Sequence, residues 1–323
     1  MSTYKEIIGI QVQSLSSDPP SPFQGQIWYN NSSNTLKYYA NLSAAWSTGG
    51  ALPSPRSRIA GAGTQTAAVA FGSFPPSWIG NNPPVKISTT DEYDGSSWSS
   101  SNNMNTARQF LAGAGTQTAA LGFGGDVDPG SPGATEEYDG SSWTNGGTMG
   151  TGRVKLAGAG TQTAGLGFGG EIETNVTEEY NGSSWTAGGN LGTARVSLMG
   201  CGTQTAGLAF GGDPSAPTEE YNGSSWTTAP TLNTPRYNGA GCGTQTAALA
   251  FGGYPPPSGF VATEKYDGSS WTTTANLNIG RQSLAGAGTQ PSGLAFGGAT
   301  PSKVDATEEF SAGGLATVTV ETD

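Results

Sequence analysis

The chain has 323 residues, a formal net charge of −11, no histidine, and 52 glycines against only 11% charged residues. A surface of that sign repels phosphate backbones, which argues against nucleic acid as a partner. With no histidine and only two cysteines an imidazole or thiolate metal site is excluded, no apolar run approaches the ~18 residues of a membrane span, and the absence of a G-X-Y period excludes collagen.

In chain order, the opening MSTYKEIIGIQVQSLSSDPP has no basic region followed by an apolar one, so no signal peptide is expected and synthesis in the cytosol follows. The stretch DPPSPFQGQIWYNNSSNTLKYYANLSAAW (18–46) reads as a strand at Gln26–Asn30, a polar turn, a strand at Leu36–Ala40 and a strand around Trp46. This order mimics the last three strands of the repeat that follows. Residues 1–50 are therefore set apart as an N-terminal β segment, for attachment or ring closure, and 51–323 as a repeat domain.

From there the chain repeats itself. The Thr of a GTQ triplet falls at 64, 116, 161, 203, 244 and 289, and TEEYDGSSW-like nonapeptides recur between these positions. Such periods, with Gly pairs and one Trp per unit, belong to propeller blades. Four strands are read per unit: in the third copy VKLAGAG, AGLGFGG, VTEEY and SSWT, with TQT turning between the first two. Asp-Gly or Asn-Gly after each Tyr reads as a two-residue hairpin turn with both central residues at positive φ. Ala and Gly crowd the first two strands, as strands close to an axis require. Complete units number six, and GLATVTVE (314–321) suits the sixth unit's fourth strand because Leu315 stands in Trp phase. The expectation is an all-β, six-bladed propeller, with the strand at Trp46 closing the ring or flanking the sixth blade; the alternative makes the three N-terminal strands a partial seventh blade.

Trp46, Trp98, Trp143, Trp185, Trp226 and Trp271 each precede the next GTQ Thr by 18 residues, and Arg56, Arg108, Arg153, Arg195, Arg236 and Arg281 precede it by eight. Six equivalent arginines form a ring, each expected to clamp the Glu pair of a neighbouring third strand, such as Glu136 and Glu137. A ring around an anionic ligand fits six identical contacts less well. Only Arg58 falls outside this set. The glutamines of the triplets (Gln65, Gln117, Gln162, Gln204, Gln245, Gln290) are expected to bond backbone groups near the turns. Cys201 and Cys242 stand where other copies carry Ala, as small buried residues; a disulfide between them needs Cα atoms within ~7 Å.

The Thr-to-Tyr distance varies from 18 to 29 residues, so all length variation falls between second and third strands, on one face of the ring. Variation confined to one face marks a binding face. The candidates there are Phe74 and Trp78 in SFPPSWIGNNPPVKIS (73–88), Asp126 and Asp128 in DVDPG (126–130), and Tyr254 and Phe260 in YPPPSGF (254–260). Proline stiffens a loop and lowers the entropy lost when it presents an aromatic. DVDPG carries oxygen ligands for Ca²⁺ but lacks the 12-residue pattern of an EF-hand. Asp126, Asp128, Glu171, Glu173 and Asp213 are the carboxylates that a glycosidase reading requires; as solvated loop charges they need no such role. No enzyme activity and no cofactor are expected.

The recurring Arg195, Gly211-Gly212, Tyr221 and Trp226, in register with their equivalents over about 56–321, resemble a kelch-type repeat. The first Gly pair is altered to Gly72-Ser73, and the last unit has Phe310 for Tyr. The segment GQIWYNNSSNTLK is similar to a short stretch common in tail and fibre proteins of tailed bacteriophages, and the AGAGTQTAALAFGG style of repeat to phage virion proteins, notably of marine phages. That resemblance implies a structural protein of the virion tail, present in multiple copies. Its N-terminal segment would dock to other virion proteins, and its loop-bearing face would bind a host-surface glycan or protein without membrane insertion. The alternatives are a capsid-surface decoration protein and a glycan-degrading enzyme.

Overall fold

The structure, a computed structural model, describes residues 12–74, 86–127, 133–171, 175–213, 217–254 and 261–320, and among these there is no helix. It divides into two units, residues 46–311 and residues 1–45 with 312–323. Among the described residues seven four-stranded sheets are present, six of them in the larger unit. These six are antiparallel β-meanders spanning 60–101, 112–145, 157–187, 199–229, 240–273 and 285–311, the last completed by Ala45–Thr48. Each first strand lies beside the first strand of the next sheet, and the sixth lies beside the first. The larger unit is a closed β-propeller of six blades.

Within a blade the strands follow the repeat. In blade 3, Ala157–Thr161 pairs with Ala164–Phe168, then Thr177–Tyr180, then Trp185–Ala187. The last hairpin departs from the expected two-residue turn. Tyr180 faces Trp185, so four residues form the loop, and only its glycine has positive φ. The reason is the side chain before that glycine. The Asp94 carboxylate accepts hydrogen bonds from the amides of Ser96 and Ser97, both at 2.8 Å, and Asn181 does the same at Ser183 and Ser184. An Asx side chain that caps two amides favours the longer loop. These bonds, together with those from the serine hydroxyls, hold the exposed Asp94 carboxyl down at about 2.

Glycine in the first strands follows from crowding at the axis. A Cβ on Gly113 would come within 2.6 Å of Gly61 O and 2.9 Å of the Phe71 ring of the preceding blade. A side chain there would force neighbouring strands apart.

Every blade grips the one before it through the same side chains. The indole N–H of each blade Trp donates to a threonine of the preceding third strand at 2.9–3.0 Å, from Trp98 to Thr307 through to Trp46 to Thr263. The same indoles pack against a phenylalanine of the preceding second strand, with centroids 4.9–5.1 Å apart. Each triplet glutamine donates to two backbone carbonyls of the preceding blade, as Gln117 does to Ala68 and Tyr93. An aromatic pair contributes ~0.5–1.5 kcal/mol and a hydrogen bond ~1 kcal/mol, so each boundary gains several kcal/mol.

The Glu pairs divide their work. In strands, adjacent residues point to opposite faces, and Glu136 bonds Arg108 while Glu137 accepts the Tyr180 hydroxyl of the next blade at 2.5 Å. Five boundaries carry this tyrosine–glutamate bond, at 2.5–2.9 Å. At the sixth the donor is Phe310, and the equivalent acceptor position holds Lys265, which is exposed. Donor and acceptor are replaced together, so no buried phenol is left facing a cation.

The strand at Trp46 flanks the sixth blade, as expected for ring closure, but the C-terminal strand lies elsewhere than expected. The fourth strand of blade 6 is Ala45–Thr48, not the C-terminal strand. Gly314–Val320 pairs instead with Thr35–Leu42 in the smaller unit, where Leu315 faces Asn41 and is exposed. The physical reason is the indole. Trp46 reaches Thr263, Phe251 and Phe310, and leucine has no N–H to replace that bond. Nor do the N-terminal strands make a partial blade. Ile27–Asn30 and Thr35–Leu42 are antiparallel, Gln13–Leu15 adds in parallel, and Asp18 accepts from Trp28, Asn30 and Lys37.

The missing sixth bond is restorable. Phe310→Tyr with Lys265→Glu is expected to show a favourable coupling of about 1–2 kcal/mol in a double-mutant cycle of urea unfolding. A coupling near zero would mean that the phenol and carboxylate do not meet there.

Candidate binding site

The six ring arginines are fully buried, and each pairs with a carboxylate of the third strand of its own blade, not a neighbouring one. Glu178 illustrates the arrangement. It accepts from Arg153 at 3.2 Å and from the amides of Gly150 and Thr151, which belong to the chain arriving from blade 2. The arginine carbonyls complete the link between blades: Gly125 N donates to Arg153 O, and Gly298 N to Arg56 O, both at 2.9 Å. Burial lowers the affinity of these guanidinium groups for their protons, and the partner carboxylates oppose that shift. All six have carboxylate or carbonyl partners inside the blade, so they are frame, not ligand-facing cations.

Two residues past each arginine the chain turns left-handed. Arg58, Phe110, Lys155, Ser197, Asn238 and Ser283 have φ of 54–58°. They join head to tail. Each amide donates to the carbonyl of its counterpart in the preceding blade at 2.7–3.1 Å, and Arg58 N closes the circle onto Ser283 O at 2.8 Å. A left-handed L-residue costs about 1–2 kcal/mol and a hydrogen bond returns ~1 kcal/mol, so the ring is close to neutral and its geometry is imposed by closure.

Around this ring lie the starts of the variable segments. Phe74, Asp126, Asp213, Tyr254 and Ala299 pair as isolated bridges with Ser57, Gln109, Val196, Tyr237 and Gln282, the residues just after the arginines. The described starts of the variable segments therefore lie beside the mouth of the axis, and a cavity of about 420 Å³ opens there. Blades 1–3 line it with Arg58, Phe74, Phe110 and Lys155, and the short hairpin of blade 6 (Ala299–Thr300 with Ser302–Lys303) adds Lys303. Blades 4–6 contribute Ser197, Asp213, Tyr237, Asn238, Gln282 and Ser283.

The first group forms an alternating stack. Lys303 Nζ is 4.1 Å from the Phe74 centroid, the Arg58 guanidinium is 4.6 Å from both Phe74 and Phe110, and Lys155 Nζ is 5.3 Å from Phe110. Cation–π contacts of this kind contribute ~0.5–2 kcal/mol. Arg58 also donates to Gln109 Oε1 at 2.9 Å, and Lys155 is paired with Glu171. Burial pushes the Arg58 guanidinium below its usual range, with the charge of Asp126 opposing. Burial also lowers the Lys303 ammonium, and the Arg58 charge lowers it further.

Of the residues singled out from the sequence, Phe74 lines the cavity. Tyr254 packs on the cavity residue Tyr237 at 5.2 Å. Asp126 is bonded to Lys86 at 2.8 Å and to Gln109 at 2.7 Å; burial raises its pKa, but these bonds outweigh it and the carboxyl is lowered. Trp78, Asp128, Phe260 and Glu173 lie outside the described residues. Arg58, Phe110, Lys155 and Lys303 were not singled out as site residues. The available signal was the column two residues after the arginine, which reads Arg, Phe, Lys, Ser, Asn, Ser although the arginine itself never changes. Among the described residues no three His, Cys, Asp or Glu side chains gather as a metal site. Cys201 and Cys242 are buried with free thiols, each directed at a carbonyl of the next blade.

No protein-family model matches the chain, and no curated protein matches it.

Arg58→Gln is expected to raise the pKa of the Lys303 ammonium, because a nearby like charge is removed. An NMR titration of the lysine side chains checks this; an unchanged or lower value would contradict the stacked arrangement.

Proposed function

We propose that the chain is a non-catalytic recognition module of a tailed-bacteriophage virion, carried on the tail and binding the host surface through its loop-bearing face. One observation carries the reading. The described starts of the segments that differ in length, and the differing side chains two residues after each ring arginine, lie around one mouth of the axis, while the repeated Trp and Tyr residues are bonded inside the frame. A binding surface needs such local variety on a rigid scaffold.

The carboxylates of the rim favour binding over hydrolysis. Asp126 is held by Lys86 and Gln109, and Glu171 by Lys155, so neither is poised as an acid or a base. The resemblance of the GQIWYN segment and of the AGAGTQTAALAFGG style of repeat supplies the phage context, and with it attachment of residues 1–50 to neighbouring tail proteins, in several copies per virion.

Purified protein is expected to adsorb to host cells and to compete with virions for adsorption. A chain lacking residues 75–85 should adsorb more weakly, and labelled antibody should mark the tail in electron micrographs. Absence of any adsorption, label confined to the capsid, or release of new reducing ends from host polysaccharide would overturn the proposal.

A further inference from the structure

We infer that the cavity at the loop-bearing mouth of the axis binds an acidic sugar, its carboxylate toward Arg58 and Lys303 and its hydroxyls toward Asp213, Asn238 and Ser283. This names the ligand for the face proposed above, and rests on that reading only in taking the sugar from a cell surface.

The charge distribution comes first. The protein carries a net charge of −11, and six of its 13 cationic side chains are consumed in the buried arginine frame. Of the remainder, Arg58, Lys155 and Lys303 line a single cavity. Each lies over a phenylalanine ring, Phe74 or Phe110, at 4.1–5.3 Å from its centroid. Arg58 and Lys303 face the same ring of Phe74, and the Arg58 charge weakens the hold of the Lys303 ammonium on its proton. An anion placed between them relieves that repulsion, and a planar guanidinium suits the two oxygens of a carboxylate.

The opposite half selects against a bare polyanion. Asp213 is itself negative and lines the same space, with the Asn238 amide, the Gln282 amide and the Ser197 and Ser283 hydroxyls. A carboxylate beside neutral donors and acceptors recognises hydroxyl groups and repels a second negative charge. The ligand that satisfies both halves is singly charged at one end and polyhydroxylated at the other. The volume of about 420 Å³ lies within the ~300–1,000 Å³ of small-ligand pockets. The left-handed ring closes through backbone bonds, so the Asn238 and Ser283 side chains are not needed to hold it.

The test titrates the full chain with sodium glucuronate, glucose and sodium sulfate at constant ionic strength, by calorimetry. Saturable binding of glucuronate is expected, with glucose and sulfate each about tenfold weaker or more. Arg58→Gln and Lys303→Gln should each weaken glucuronate about tenfold or more. Lys303 sits on the short hairpin outside the blades, so its variant keeps the test decisive if Arg58→Gln disturbs the ring. No saturable binding of glucuronate, equal binding of sulfate, or affinity unchanged in the Lys303 variant would overturn the inference. Adsorption of the protein to host cells is measured in parallel. Adsorption without acidic-sugar binding refutes the pocket assignment alone, and sugar binding without adsorption refutes the host-recognition reading alone.

Discussion

The structure depends on one repeated contact: an indole on the outer strand of each blade reaching back to a threonine and a phenylalanine of the blade before it. Six such contacts suffice only if the last meets the first, and the sixth indole, Trp46, comes from a strand that begins at Ala45. The chain therefore closes its circle by lending an early strand to its final blade. An open end would leave the third strand of blade 6 as an unpaired edge, a surface that invites association with other chains.

Closure explains features that otherwise look arbitrary. The arginine–carboxylate pairs are fully buried, and such pairs are weak contributors to stability on balance. Their value here is geometric: Glu136 also binds the amides of Asn105 and Thr106, so the ion pair fixes how the chain leaves one blade and enters the next. That fixed entry sets the left-handed turn at Phe110 and its equivalents, which in turn join as a circle of backbone hydrogen bonds. Neither level of this frame consumes the side chains of the turn residues. The lining of the cavity, with one chemistry per blade, is what remains free to differ.

Much of this was legible in the repeats, because a contact made six times leaves six copies of its residues. The Trp, Gln and Arg columns announce interblade packing and the buried ring before any coordinate is seen. The Glu pair was misread as one target, although strand alternation already places Glu136 and Glu137 on opposite faces. Leu315 misled because spacing was counted without asking whether leucine could make the bond that the indole makes. The cavity residues were hidden for a different reason. Arg58, Phe110 and Lys155 are poor formers of left-handed turns, so no residue-type signal marks a conformation that tertiary bonding imposes. Lys303 sits in a short hairpin that no other blade shows among the described residues.

The account rests on a closed circle of six, and the bond that closes it is Arg58 N to Ser283 O. Native-state hydrogen exchange by NMR reads that bond directly. All six ring amides, of Arg58, Phe110, Lys155, Ser197, Asn238 and Ser283, should exchange slowly and with one common opening free energy, since none can open without breaking the circle. An Arg58 amide that exchanges as fast as the surface loops while the other five stay protected would show an open ring.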